Sequence, residues 1–134
     1  MTSVSRLAVI VVTVALVGLG GCRTVAIQDV TKAPLGVAPG KRVSLPQVAK
    51  AIHAAGSDLG WVIEDVRPGE LLGTLNLRKH VAVVTIEYTT STFDIRYKSS
   101  KNLQQQGTEI HRKYNLWVQN LAQRIQQQMG TLTP

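Results

Sequence analysis

The chain has 134 residues, 44% of them hydrophobic, with a formal charge of +7 and a single cysteine. That length admits one domain, and a lone cysteine excludes an internal disulfide, so the fold must be stabilised by packing alone. The basic balance suits anionic partners such as lipid headgroups, polyanionic envelope glycans or nucleic acid, and it equally suits plain solubility.

Residues 1–21 read as a leader. Met1 to Ser5 with Arg6 form a short positive start, and Leu7 to Leu19 is an apolar run of thirteen residues. A membrane-crossing helix needs about 20, so a shorter run closed by small residues predicts an export signal that is removed. The competing reading is an uncleaved membrane helix that extends to the edge of Arg23. Loss of the leader takes away Arg6 and leaves +6 on the mature chain. Export also argues against a nucleic-acid partner.

Leu19-Gly20-Gly21-Cys22 closes that run. These four residues resemble the lipobox of bacterial lipoproteins, although Gly20 is less usual there than Ala or Ser. The small pair lets an extended backbone enter a protease site, and the Cys22 thiolate is nucleophilic enough to take a diacylglyceryl group. The resemblance implies a lipid on Cys22, cleavage before it and acylation of the new amino group. Each buried methylene contributes about 0.8 kcal/mol, so two or three acyl chains such as palmitate would hold the protein on a membrane. Arg23 follows where Asp would signal retention in the inner membrane, so the resemblance implies the periplasmic face of the outer membrane.

Residues 22–43 are predicted to be the lipidated Cys and a flexible tether. Pro34, Gly36, Pro39 and Gly40 interrupt them, and no period of 2 or 3.6 runs through. Two prolines break a helix and deny ladder hydrogen bonds to a strand. Such a coil of 21 residues would reach about 25 Å. Thr24 to Ile27 could still add a short strand to an edge.

The folded domain is predicted over 44–130, with 131–134 as a disordered tail. Ser44-Leu45-Pro46-Gln47 has the form of a capping box, and Val48, Ile52, Ala55 and Leu59 make one helical stripe ending at Gly60. Gly56 within it allows close packing on a sheet. A four-stranded meander follows: 61–66, 71–77, 80–89 and 93–98. Pro68-Gly69 suits a type II turn, whereas Arg78-Lys79 lacks the usual Gly or Asn. Facing Leu77 with His80 brings Leu75 to Ala82 and Gly73 to Val84. Facing Tyr88 with Phe93 brings Ile86 to Ile95 and Val84 to Tyr97. All then share one face, as a period of 2 requires. The parity of the first strand stays open. A last helix is predicted from Glu109 to Met129, capped by Thr108, with Ile110, Tyr114, Trp117, Leu121 and Ile125 as its stripe. The expected fold class is α+β: an antiparallel meander of about four strands with both helices on one face.

Nothing in the chain reads as a catalytic, cofactor or metal site. His53, His80 and His111 lack metal-ligand spacing, no nucleophile signature is present, and the carboxylates are scattered. An enzyme is therefore not expected. His80 reads as a hydrogen-bonded structural residue. The sheet face turned from the helices carries Val81 and Val83 among Arg96, Lys98 and other polar groups. It reads either as a docking surface or as a solvated face with β-branched residues kept for strand propensity. Trp61, Tyr97, His111, Tyr114 and Trp117 are the candidates for a pocket between helix and sheet.

From Gly60 onward the text is similar to a family of small, uncharacterised bacterial lipoproteins. The similarity rests on Gly60-Trp61-Val62, Pro68-Gly69, Gly73 to Arg78 with His80, Ile95-Arg96-Tyr97, Asn102-Leu103, and Ile110-His111 through Tyr114-Asn115 to Trp117-Val118 and Asn120-Leu121. It implies the architecture and an envelope location, and no activity. The helix-sheet layout is similar to that of lipoprotein domains in the outer-membrane β-barrel assembly machinery, as an analogy of fold alone. Asn102, Asn115 and Asn120 read first as structural hydrogen-bonding positions. The expected role is therefore a non-enzymatic, lipid-anchored envelope protein that binds another envelope protein; the alternative is a small-ligand or glycan-binding module.

Overall fold

A computed structural model of the chain describes residues 23–132. The leader, the lipidation expected at Cys22 and the last two residues of the expected tail lie outside the described residues. The described chain is a mixed α+β fold. Its strands are β1 (Thr24–Ala26), β2 (Val30–Pro34), β3 (Trp61–Arg67), β4 (Glu70–Leu77), β5 (His80–Tyr88), β6 (Thr92–Lys101) and β7 (Glu109–His111). Its helices are α1 (Leu45–Asp58) and α2 (Lys113–Gly130). Five strands form one antiparallel sheet in the order β2-β6-β5-β4-β3, and β1 pairs with β7 in a second, two-stranded sheet.

The meander has the register that alternation and turn length require. Leu77 faces His80, Leu75 faces Ala82 and Gly73 faces Val84. Tyr88 faces Phe93, Ile86 faces Ile95 and Val84 faces Tyr97. Gly69 has a φ of +88°, the left-handed residue that a type II turn needs. The Arg78-Lys79 turn closes without glycine: Arg78 itself takes a φ of +57°. Asn102 secures that turn by donating from Nδ2 to the Lys79 carbonyl at 2.6 Å. In β3, Trp61 is buried and Ile63 packs against the core, while Val62, Glu64 and Val66 are exposed.

α1 opens on the expected box. The Gln47 amide donates to Ser44 Oγ, and Gln47 Oε1 accepts from the Ser44 amide at 2.8 Å. Its apolar side (Val48, Ile52, Ala55) shares one core with Leu71, Ala82, Val84, Ile86, Phe93 and Ile95 of the sheet and with Tyr114, Val118, Leu121 and Ile125 of α2. Gly56 is the point of closest approach: a Cβ there would stand 2.4 Å from Ile63 Cγ1.

Three expectations are corrected. The sheet has five strands instead of four, because the segment read as a tether folds: β2 pairs with β6, and β1 pairs with β7. The prolines do not prevent this. β2 lies on the edge of the sheet, where a missing N–H costs nothing, and the Pro34 carbonyl accepts from Gln126 Nε2 at 2.9 Å. The irregular pattern reflects a bulge between Val30 and Ala33, with Lys32 at a φ of +47°. The Lys32 amide donates to Asp94 Oδ1 at 2.7 Å, and the Tyr97 amide to Asp29 Oδ1 at 3.1 Å, so two carboxylates replace ladder bonds that the bulge removes. Leu35, just after β2, is fully buried.

The second correction concerns α2, which begins at Lys113; Glu109–His111 is strand β7. Ile110 is buried either way, so its apolarity did not discriminate. The third is the tail: Thr131 Oγ1 donates to the Gln128 carbonyl, and Leu132 packs against the core. Among the described residues, no helix is long and apolar enough to cross a membrane.

Candidate functional site

The sheet face turned from the helices alternates with the buried one along the strands, except at the bulges. Across it run the rows Val62–Thr74–Val83 and Glu64–Leu72–Thr85–Arg96, with Val81 between Asn76 and Lys101. Val81, Val83, Leu72, Thr74 and Thr85 are half-buried, while Val62, Glu64 and Arg96 are exposed. Val62 leaves 56% of its surface in solvent. An apolar centre therefore stands within a charged border. Arg96 is held by Asp94, Nη2 to Oδ2 at 2.9 Å. At the bulge Val83 faces Ser99 and Val84 faces Tyr97, so Lys98 is the extra residue there and not a regular member of the row.

Charge is polarised along the strands. Glu70, Glu87 and Asp94 lie side by side across β4, β5 and β6. They border, with Lys32, Arg67 and Thr92, a cleft of about 450 Å³. The Lys32 amide, and then Arg96, hold the Asp94 carboxyl below the usual carboxylate range. The opposite end carries Arg78 and Lys79 in the β4–β5 turn, Lys101 at the end of β6, Arg112 and Lys113 at the start of α2, and Arg23. Hydrogen bonds gather these segments. The Arg112 amide donates to the Arg23 carbonyl at 3.0 Å, and the His111 amide donates to the Leu103 carbonyl at 2.7 Å. His80 Nδ1 donates to the Asn102 carbonyl at 2.8 Å, the structural role expected of it.

The five candidate pocket residues do not line one cavity. Trp61 and Trp117 border a hollow of only about 70 Å³ with Leu59, Leu75 and Asn120. Tyr114 is fully buried and meets Tyr97 edge-on, with ring centroids 5.5 Å apart at 78°. Its hydroxyl has no hydrogen-bond partner among the described residues, and burial holds its pKa well above that of an ordinary tyrosine. His111 lies on β7, where its Nδ1 accepts from the Lys113 amide at 3.2 Å. Burial, then the charges of Lys113, Arg112, His80 and Arg23, push its pKa down. The tight helix-sheet packing that buries Tyr114 leaves no room for the pocket.

One residue matters more than the sequence indicated. Asn115 accepts at Oδ1 from the Gln28 amide at 3.0 Å and donates from Nδ2 to the Ala26 carbonyl at 2.8 Å. It thereby clamps the segment between β1 and β2 onto α2. Its signal was a polar side chain beside the apolar stripe of a helix, between Tyr114 and Val118. Asp29 and Asp94 left no comparable trace. Among the described residues, no group of three or more His, Cys, Asp or Glu side chains could hold a metal ion; His53 pairs with Asp65 at 2.8 Å. Comparison with protein-family models, with curated proteins and with solved structures finds no match to this chain.

Proposed function

We propose that this chain is a lipid-anchored lipoprotein of the bacterial envelope, acylated on Cys22 and facing the periplasm from the outer membrane. Its α+β domain works without catalysis by docking another envelope protein on the open sheet face. The observation that carries this reading is the face itself. Val62, Val81, Val83 and Leu72 stay half-buried to exposed beside Arg96 and Glu64, while Leu71, Ala82, Val84 and Ile86 at the centre of the opposite face are buried. A partner that covered the valines would remove apolar surface from water, and the charged border would set its orientation. The alternative, a glycan- or small-ligand-binding module, loses support at its expected place. The Trp61–Trp117 hollow of about 70 Å³ is far below the roughly 300–1,000 Å³ of typical ligand sites.

Two measurements test the proposal. A fatty-acid analogue should label the chain in bacterial cells and fail to label Cys22→Ala. Photo-crosslinkers at Val81 and Arg96 should return one common protein adduct, absent when the crosslinker stands at the exposed Ser57 of α1. Equal adducts at all three positions would remove the docking face, and a mature chain that still begins at Met1 would remove the anchor.

A further inference from the structure

We infer that the basic end of the domain is a lipid-headgroup contact, set directly against the phosphates of an anionic bilayer surface. The inference rests on the anchoring of Cys22 proposed above and adds to it an orientation and a second binding element.

A flexible tether would leave the domain free to tumble beneath its anchor. The folded segment removes that freedom. Arg23, the residue after Cys22, already accepts at its carbonyl from the Arg112 amide at 3.0 Å. The next three residues are paired with β7, Thr24 facing His111 and Ala26 facing Glu109. Consecutive Cα atoms are about 3.8 Å apart, so a lipid on Cys22 would leave the domain at the start of α2, without slack.

The same end gathers six exposed cations: Arg23, Arg78, Lys79, Lys101, Arg112 and Lys113. None of them belongs to an ion pair among the described residues. Glu109 is the acid of this end, and it accepts weakly from Thr24 Oγ1 at 3.5 Å. The strands run from there to the acidic row Glu70–Glu87–Asp94 at the far end. There Arg67 pairs with Glu70 and Arg96 with Asp94, so a negative surface attracts the basic end far more strongly than the other. At physiological salt the field fades over about 8 Å, so the cations act only in contact with the headgroups. Arginine guanidinium groups there can hold phosphate oxygens in a bidentate manner. Each basic residue near such a surface raises partitioning by about fivefold.

The test uses the full chain purified from bacterial membranes, with single cysteines introduced for a fluorophore at Leu77→Cys, beside the basic turn, or at Thr90→Cys, at the other end of β5. Each is mixed with phosphatidylcholine vesicles, with or without about one third phosphatidylglycerol, that carry nitroxide headgroups. Quenching at position 77 several-fold above that at position 90 on the anionic vesicles is expected. The difference should vanish in Arg78→Glu, Lys79→Glu, Arg112→Glu, Lys113→Glu, while that variant still floats with the vesicles through its lipid. Equal quenching at both positions, or a difference that survives charge reversal, overturns the inference and leaves the anchor standing. A chain that floats only with anionic vesicles, quenched at position 77, supports the contact and overturns the anchor. Binding to neither kind of vesicle overturns both.

Discussion

The side chain of Asn115 and the backbone of Gln28, 87 positions apart in the chain, meet in a hydrogen bond of 3.0 Å. The other half of the same amide reaches the Ala26 carbonyl. One side chain thus occupies an acceptor at the end of β1 and a donor in the connection between β1 and β2. Asn115→Leu fills the site with similar bulk but leaves both backbone groups unsatisfied, which costs about 2–3 kcal/mol in all. Urea denaturation should show that loss, and hydrogen exchange should show amides 24–30 deprotected ahead of β4 and β5.

Leu35 tests whether the segment before α1 is structural. It is buried to 1% exposure, and its amide donates to the Ser91 carbonyl at 3.1 Å. Leu35→Ala should cost about 2–5 kcal/mol. A tether residue would give a change within about 0.5 kcal/mol, so the thermal midpoint decides between the two.

Gly56 sits in the last turn of α1, where alanine would ordinarily add up to about 1 kcal/mol. A Cβ would lie 2.4 Å from Ile63 Cγ1 and 2.7 Å from its Cδ1. Gly56→Ala should therefore destabilise by about 1–3 kcal/mol, the usual cost of overpacking. Adding Ile63→Ala should recover part of that loss, and a double-mutant cycle would show the coupling.

Asp94 makes part of the stability depend on acid. Its pKa is lowered by the Lys32 amide, and then by Arg96. A carboxyl depressed in the folded state contributes stability above its unfolded value of 3.8 and loses it as pH falls through the folded value. Denaturation midpoints between pH 6 and 2 should therefore drop below about pH 3.8 in the parent chain and drop less in Asp94→Asn. If the two curves stay parallel, the carboxylate does not hold β2.

His111 works in a higher window. Its pKa is lowered from 6.5, first by burial and then by Lys113, Arg112, His80 and Arg23. The folded chain therefore favours the neutral ring, whose Nδ1 accepts from the Lys113 amide. Stability is full above pH 6.5 and declines as pH falls through the depressed folded value. His111→Gln should flatten that decline. An unchanged slope would assign it to another group.

Much of the meander was legible because its information is local. Gly73, Leu75 and Leu77 against His80, Ala82 and Val84 form a hairpin whose register follows from a two-residue turn and a period of 2. The Ser44 box likewise acts across three residues. The candidate face was legible in part: Val81, Val83 and Arg96 lie together on it, but the bulge at Lys98 depends on how β6 bends against β5. The pocket was not legible at all. Five aromatic or polar residues fit the sequence pattern of a site, yet close packing placed Tyr114 inside the core and divided the rest.

By itself the sequence determined the first helix, the order and pairing of β3 to β6, and which faces of β4, β5 and β6 are apolar. These depend on side-chain alternation and on turns a few residues long, which any collapsed form of the chain would share. Only the tertiary structure decided that residues 23–43 belong to the domain, that Glu109–His111 is a strand and that the basic segments meet at one end. Those outcomes come from contacts between residues some 60 to 90 positions apart, in which Asn115, Asp29 and Asp94 supply the hydrogen bonds that the local sequence of the N-terminal segment lacks.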